Sequence, residues 1–331
     1  MIKLNYPKFW QKRGLLSTIL LPLSILYRLL GLVRRLFYKP MRLPGFVICV
    51  GNMSVGGSGK TQVVKLLAQK LKSDNYKILI ITKGYGGQVK GAKLVKDIDS
   101  ASYVGDESKM LKRYAHVIAA KSIRSALPII EELKPEIIIF DDGMQNPSFL
   151  KDFVILVIDA ARNVGNGRIF PAGPLRQDID TAIGKADIIC LTGNQPCLNN
   201  SLLQTIALSR KKVFKSKIKV PNVLNLNINY YAFAGISNPD NFFNLLEDKG
   251  AELQVRKSFP DHHNYSRQEI IGMIEEAGKL NCRLITTLKD FVKIEDIIDD
   301  TGKIEYLDID IQFDEEEQLF NIINEKIKTY I

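Results

Sequence analysis

Gly45-Phe46-Val47-Ile48-Cys49-Val50 runs directly into Gly51-Asn52-Met53-Ser54-Val55-Gly56-Gly57-Ser58-Gly59-Lys60-Thr61, and this junction decides the fold. The first half is a short apolar run, the pattern of a strand buried on both faces of a parallel sheet. The second half is a glycine-rich loop, after which Val63, Val64, Leu66, Leu67 and Leu71 recur at helical spacing. Strand, loop and helix in that order make a phosphate cradle. Glycines let successive backbone N–H groups turn inward, and the helix N-terminus adds partial positive charge. Ser54, Val55, Gly56, Gly57, Ser58, Gly59, Lys60 and Thr61 are therefore the expected nucleotide-binding residues. Lys60 is expected to reach the β- and γ-phosphates, and the Thr61 hydroxyl to ligate Mg²⁺. Ser54 departs from the strict pattern, which has glycine there, and an ordinary glycine-rich turn is the alternative.

Such a loop needs a carboxylate on the metal side, at the end of another buried strand. Glu136-Ile137-Ile138-Ile139-Phe140 has the composition of that strand, and Asp141-Asp142 closes it. Ligands bind at the C-terminal edge of parallel sheets. Asp141 and Asp142 are thus expected to hold Mg²⁺ directly or through water, a helix cap or loop pair being the alternative.

Outward from this centre, 331 residues suggest two domains. Further strands are expected at Lys77–Thr82, Val117–Ala120, Val154–Asp159 and Ile188–Thr192. Strands and helices alternate again from Tyr230, with helices expected over Pro239–Leu246, Arg267–Lys279 and from Glu315. The expected fold is α/β: an N-terminal helical segment (1–44), a P-loop core with a parallel sheet (45–210), an extended linker (211–229) and a smaller α/β domain (230–331).

The net charge of +10 is concentrated at one end, since residues 1–50 hold nine Lys or Arg and no acidic residue. A basic, apolar terminus on a nearly neutral body points to anionic lipid rather than nucleic acid. Residues 14–37, GLLSTILLPLSILYRLLGLVRRLF, are broken by Arg28 and contain Pro22; the uncharged run is shorter than a span needs. No small-residue cleavage site follows, which argues against a signal peptide. Ser17, Ser24, Arg28, Gly31 and Arg35 fall on one stripe at helical spacing. An amphipathic helix at a membrane surface fits this pattern, with Lys12, Arg13, Arg34, Arg35 and Lys39 meeting phosphates; a helix packed on the protein's own core is the alternative. Cys49, Cys190, Cys197 and Cys282 have neither metal-site spacing nor a disulfide framework, so a reducing, cytoplasmic compartment is expected.

GNMSVGGSGKT, TKGYGG, GDE (105–107), DDGMQN (141–146), GNGRIFPAGPLRQ (165–177), FAGISNPDNFF (233–243), DHH (261–263) and TLKD (287–290) follow one another in an order that resembles the tetraacyldisaccharide 4′-kinase family, the lipid A kinases of Gram-negative bacteria. SVGGSGKT, with its serine at 54, fits that family. The resemblance implies transfer of the γ-phosphate of ATP, with Mg²⁺, to the 4′-hydroxyl of an acylated glucosamine disaccharide 1-phosphate at the cytoplasmic face of the inner membrane, the protein being peripheral or monotopic. It implies that Asp106 is the catalytic carboxylate, the expected proton acceptor, and His262 its partner; Lys60 of the phosphate loop is the third expected catalytic group. It also implies substrate contacts for Arg176, Gln145 and Arg124. Lys83, Asn146 and Gln177 depart from the family's usual Arg, His and Glu. From the residues alone, a helix N-cap is the better reading of Asp106, and a polar loop that of His262-His263. Placed in separate expected domains, Asp106 and His262 would pair only on domain closure. A membrane-associated P-loop ATPase or GTPase switch is the competing class, but the Lys of TLKD stands one place late for a guanine-reading N-K-x-D. A lipid-binding protein with a relic loop is disfavoured by Lys60-Thr61 together with Asp141-Asp142.

Overall fold

The computed structural model describes residues 7–193, 198–220, 224–298 and 301–330. The chain forms two compact units: Met1–Ile81 with Leu127–Ile218 and Ile311–Ile331, and Thr82–Ala126 with Lys219–Asp310. This division differs from the expected one. Residues 82–126 group with the C-terminal half, and the final helix groups with the P-loop.

In the first unit the strand order is Asp310–Phe313, Lys212–Lys219, Ile188–Thr192, Phe153–Asp159, Phe46–Gly51, Ile137–Asp141, Ile78–Thr82. The strands from Lys212–Lys219 through to Ile78–Thr82 pair in parallel. Phe46–Gly51 lies near the middle and is buried along its whole length, which is why it reads as an unbroken apolar run. Register places Val50 opposite Asp141, and Asp159 opposite Thr192, so the polar strand ends gather at the C-terminal edge. The Lys212–Lys219 strand occupies part of the expected linker. It escapes an apolar-run test because only Phe214 and Ser216 are buried along it, while its lysines stay exposed or nearly so. The closing helix Glu316–Tyr330 buries Leu319, Phe320, Ile323 and Ile327. The Tyr330 hydroxyl donates to Gly45 O at 3.1 Å.

The N-terminal residues form helices Leu15–Ile19 and Leu21–Leu36. Ser17 and Ser24 are buried, and Arg28 pairs with Asp178 at 2.9 Å. Leu15, Leu23, Leu26, Leu30 and Phe37 are each more than half exposed. Ser17 and Ser24 thus face the protein and these apolar residues face outward, the reverse of an ordinary surface helix. Among the described residues no helix is long and apolar enough to cross a membrane. Among the described residues, Cys49, Cys190 and Cys282 form no disulfide; Cys197 lies outside the described residues.

In the second unit a parallel sheet runs Glu252–Ser258, Asn229–Ala234, Cys282–Thr287, Ile304–Leu307. Alternate residues of the Asn229–Ala234 strand feed two cores. Tyr231 and Phe233 pack with Ile270 and Met273, while Tyr230, Ala232 and Ala234 pack with Phe242, Phe243 and Leu246. A capping box between Ser266 and Glu269 starts the Arg267–Lys279 helix. The same unit holds the antiparallel pair Ala92–Leu94 and His116–Ala120. The short helix Asp106–Lys112 packs on Leu288–Ile294.

Candidate active site

The phosphate loop of the first unit is shaped by its own hydrogen bonds. Asn52 Nδ2 donates to Ser58 Oγ at 3.0 Å, and Thr192 Oγ1 donates to Ser58 O at 2.9 Å. Gly59, at φ +76°, carries the chain into the Lys60–Ser73 helix, and a Cβ there would crowd Thr192 at 3.3 Å. Arg162 reaches Gly57 O at 3.3 Å and pairs with Asp159 at 3.6 Å, which places a second cation beside the loop.

Lys60 and Thr61 each face one carboxylate. Thr61 Oγ1 lies 3.1 Å from Asp141 Oδ2, and Lys60 Nζ lies 4.0 Å from Asp142 Oδ1. Arg176 Nη1 donates to both Asp142 oxygens, at 2.7 and 2.8 Å. The two aspartates therefore differ: Asp141 sits with the hydroxyl, Asp142 between two cations. The left-handed backbone of Asp142, φ +61°, turns its side chain out of the strand direction. Hard oxygen donors of this kind suit Mg²⁺, whose remaining positions are normally filled by water and phosphate. Among the described residues no cluster of three or more acidic, His or Cys side chains forms a cage.

Residues 166–177 join this loop to the N-terminal helices. On one side Arg176 N donates to Met53 O at 2.7 Å and Val55 N to Pro174 O at 2.8 Å. On the other, Ser24 Oγ donates to Ile169 O at 2.8 Å, Trp10 Nε1 to Pro171 O at 2.9 Å, and Arg168 Nη1 to Ser17 Oγ at 2.9 Å. The Val55 amide, expected to bind nucleotide, is taken by this contact, and Ser54 bridges to Leu175. Gln145, expected to contact substrate, donates to Asn52 O at 2.7 Å and so buttresses the loop. Arg124 is exposed in the Ile123–Leu133 helix and is not among the partners of Asp106 or His262.

Of the departures from the family pattern, Asn146 Oδ1 accepts from Ser148 N and Oγ at 3.0 and 2.7 Å, a local turn. Gln177 is buried, with its Oε1 accepting from Lys185 at 3.3 Å. The Lys83 carbonyl accepts from Lys121 Nζ at 3.2 Å.

In the second unit Asp106 opens its helix and is only 5% exposed. Its Oδ1 accepts the Glu107 N–H at 2.9 Å, and its Oδ2 lies 2.7 Å from His262 Nδ1. The expected requirement for domain closure is corrected here: Asp106 and His262 belong to one compact unit and already touch. Residues 82–126 fold with the C-terminal half, and this explains the pairing across 156 positions of sequence. Gly105, just before Asp106, is at φ +92°, and a Cβ there would meet Tyr85 O at 2.7 Å. The Tyr85 ring lies 5.2 Å from the imidazole. Burial alone would raise the Asp106 pKa, but Lys289, His262 and Lys293 outweigh it and hold the carboxyl at about 2. Sequence reasoning missed Lys289, Asn52, Thr192 and Arg162. None has a spacing that marks it; TLKD carried part of the family resemblance and weighed against guanine, but gave Lys289 no role.

The chain matches the tetraacyldisaccharide-1-P 4′-kinase family model over residues 16–328. It is 42% identical to the tetraacyldisaccharide 4′-kinase of Rickettsia akari over 99% of this chain and 98% of that relative. It is 46% identical to the namesake in Rickettsia bellii over 90% of this chain and 92% of the other. A crystal structure of LpxK from Aquifex aeolicus in complex with ATP superimposes with a TM-score of 0.76, at 28% identity, covering 95% of this chain and 100% of that one. Motif order, sheet topology and near full-length similarity agree, and the chain belongs to the tetraacyldisaccharide-1-P 4′-kinase family.

Proposed function

We propose that this protein transfers the γ-phosphate of ATP to the 4′-hydroxyl of an acylated glucosamine disaccharide 1-phosphate. The observation that carries the proposal is the loop in which Lys60 faces Asp142 at 4.0 Å and Thr61 faces Asp141 at 3.1 Å. Phosphoryl transfer is largely positioning and charge neutralisation. Loop amides, Lys60 and Arg162 supply positive potential to the triphosphate. Thr61 and Asp141 are the residues to hold Mg²⁺, with Asp142 beside them; the ion, when bound, neutralises charge on the phosphate oxygens. Arg176 binds a phosphate of the acceptor or holds Asp142 in place.

The acceptor hydroxyl must lose its proton as it attacks. Asp106 and His262 form the accepting pair, since their 2.7 Å contact orients each against the other. With its carboxyl held at about 2, Asp106 alone retains a proton poorly at neutral pH; the ring has to share it. The outward apolar face of the N-terminal helices and the basic residues around them support residence at the cytoplasmic face of the inner membrane, where such a lipid is met. Transfer of radiolabelled phosphate from ATP to the acylated disaccharide in mixed micelles is expected. A switch ATPase would instead release phosphate at the same rate with no lipid present, and that outcome would reject the proposal.

A further inference from the structure

Lys289 has no part in the scheme above, yet it touches the accepting pair. It stands in the first turn of the Leu288–Ile294 helix, which packs on the helix that begins with Asp106. Its Nζ is 3.2 Å from His262 Nε2, 3.4 Å from Asp261 Oδ1 and 3.9 Å from Asp106 Oδ2. An ammonium group donates hydrogen bonds and accepts none. His262 Nε2 is then the accepting nitrogen, and the ring proton is on Nδ1, donated to Asp106 at 2.7 Å. The tautomer is set from both ends of the ring.

We infer that Lys289 is a positioning residue for the proton-accepting pair: its ammonium fixes His262 as the neutral, Nδ1-protonated tautomer and opposes a second ring proton. This rests on the reading of Asp106 and His262 as that pair. A pair that must receive the hydroxyl proton has to begin with a ring nitrogen that carries no proton, and Nε2, which accepts from Lys289, is that nitrogen. The groups facing the ring are Asp106 from one helix, Lys289 from another, Asp261 from the neighbouring loop position and the Tyr85 ring. Beyond them Lys293 acts on Asp106, and Glu107 and Asp290 act on Lys289. His263 is directed to Glu269 instead, at 3.2 Å. Without Lys289, two carboxylates remain against the ring with no cation touching it. The imidazolium is then favoured, and the pair is filled before substrate arrives. The Lys289 pKa runs the same way: burial would lower it, but Asp106, Glu107 and Asp261 raise it, so it stays an ammonium across the working range.

The test combines nitrogen NMR of the histidine rings in the full-length protein with the pH dependence of kcat. In the wild type, His262 is expected to show a protonated Nδ1 and a bare Nε2 at neutral pH. Lys289→Met is expected to populate the doubly protonated ring at neutral pH. It should also move the acid limb of kcat upward by about one pH unit or more, cutting the rate ~10-fold at mildly acid pH and far less in alkali. The KM for ATP should be unchanged. Lys289→Arg restores the wild-type pattern, because guanidinium is also a pure donor. Lys289→Gln, whose amide donates without charge, is expected to keep the tautomer but not the acid limb, and serves if the Met variant does not fold. A wild-type ring protonated on Nε2 overturns the inference, as does a Lys289→Met enzyme with an unshifted acid limb. The NMR readout needs no turnover, so it separates this inference from the pair itself, which fails instead if Asp106→Ala keeps the wild-type rate.

Discussion

Lys60→Ala is expected to abolish phosphoryl transfer and leave the fold intact, because the Lys60 ammonium supplies charge rather than packing. A radiolabel transfer assay beside a thermal melt checks this; a folded variant with near-normal turnover removes Lys60 from the mechanism. Asp106→Ala and His262→Ala should each lower kcat by ~10²-fold or more, the scale of general acid–base contributions. Because the two side chains are bonded at 2.7 Å, their losses should not multiply, and the double variant should resemble the poorer single. A double-mutant cycle on kcat with saturating lipid acceptor measures the coupling, and fully multiplicative losses would show independent residues. The same carboxylate has a stability signature. The folded pKa of Asp106, about 2, lies below its ordinary 3.8, so its ionised form stabilises the fold above about pH 4. That contribution is lost as pH falls from about 4 to about 2. The Tm gap between wild type and Asp106→Asn should shrink over that window; a gap independent of pH would show that the charge does not matter to folding.

At the scale of elements, the N-terminal helices have two faces with separate consequences. Ser17, Ser24 and Trp10 bond to residues 166–177, which in turn bond to the phosphate loop at Met53 and Val55. Deleting residues 1–38 therefore removes loop supports as well as an apolar surface. Substitution on the outward face separates the two effects. Leu23, Leu26 and Leu30, each more than half exposed, contribute little to the core. Replacing all three by Gln should leave Tm within a few degrees but weaken sedimentation with anionic vesicles by ~10²-fold or more, since each buried leucine is worth about 1.5–3 kcal/mol. Unchanged vesicle binding would place the anchor elsewhere. This helical stripe was legible in the sequence as a period, but the direction in which it faced was not. A period states which residues share a face; only partners such as Ile169 O, Ala172 N and Asp178 state what that face meets.

For the whole molecule, the chain closes its first unit with the segment Ile311–Ile331. The final helix buries four apolar side chains against that unit, and its adjoining strand sits beside Lys212–Lys219. Removing residues 311–331 should thus lower the Tm of the phosphate-loop unit strongly and weaken ATP binding, although no deleted residue is near the loop in sequence. Four buried aliphatic or aromatic residues at about 1.5–3 kcal/mol each are comparable to the whole stability of a domain. Calorimetry with and without ATP decides this; a truncated chain with wild-type Tm would mean that the helix is an appendage.

The phosphate loop, its strand and Asp141-Asp142 were readable from the sequence because their chemistry is local: an apolar run, a turn that needs glycine, and a carboxylate at a strand end. Other features depended on which distant segments fold together. Residues 82–126 join the C-terminal unit, so Asp106 meets His262 and Lys289, separations of 156 and 183 positions that no local period encodes. Asp142 takes Arg176 and leaves Asp141 to Thr61, a division of labour invisible in two identical adjacent residues. Local backbone preference and hydrophobic periodicity specify elements; long-range packing chooses their partners, and the charge state of Asp106 follows from partners alone.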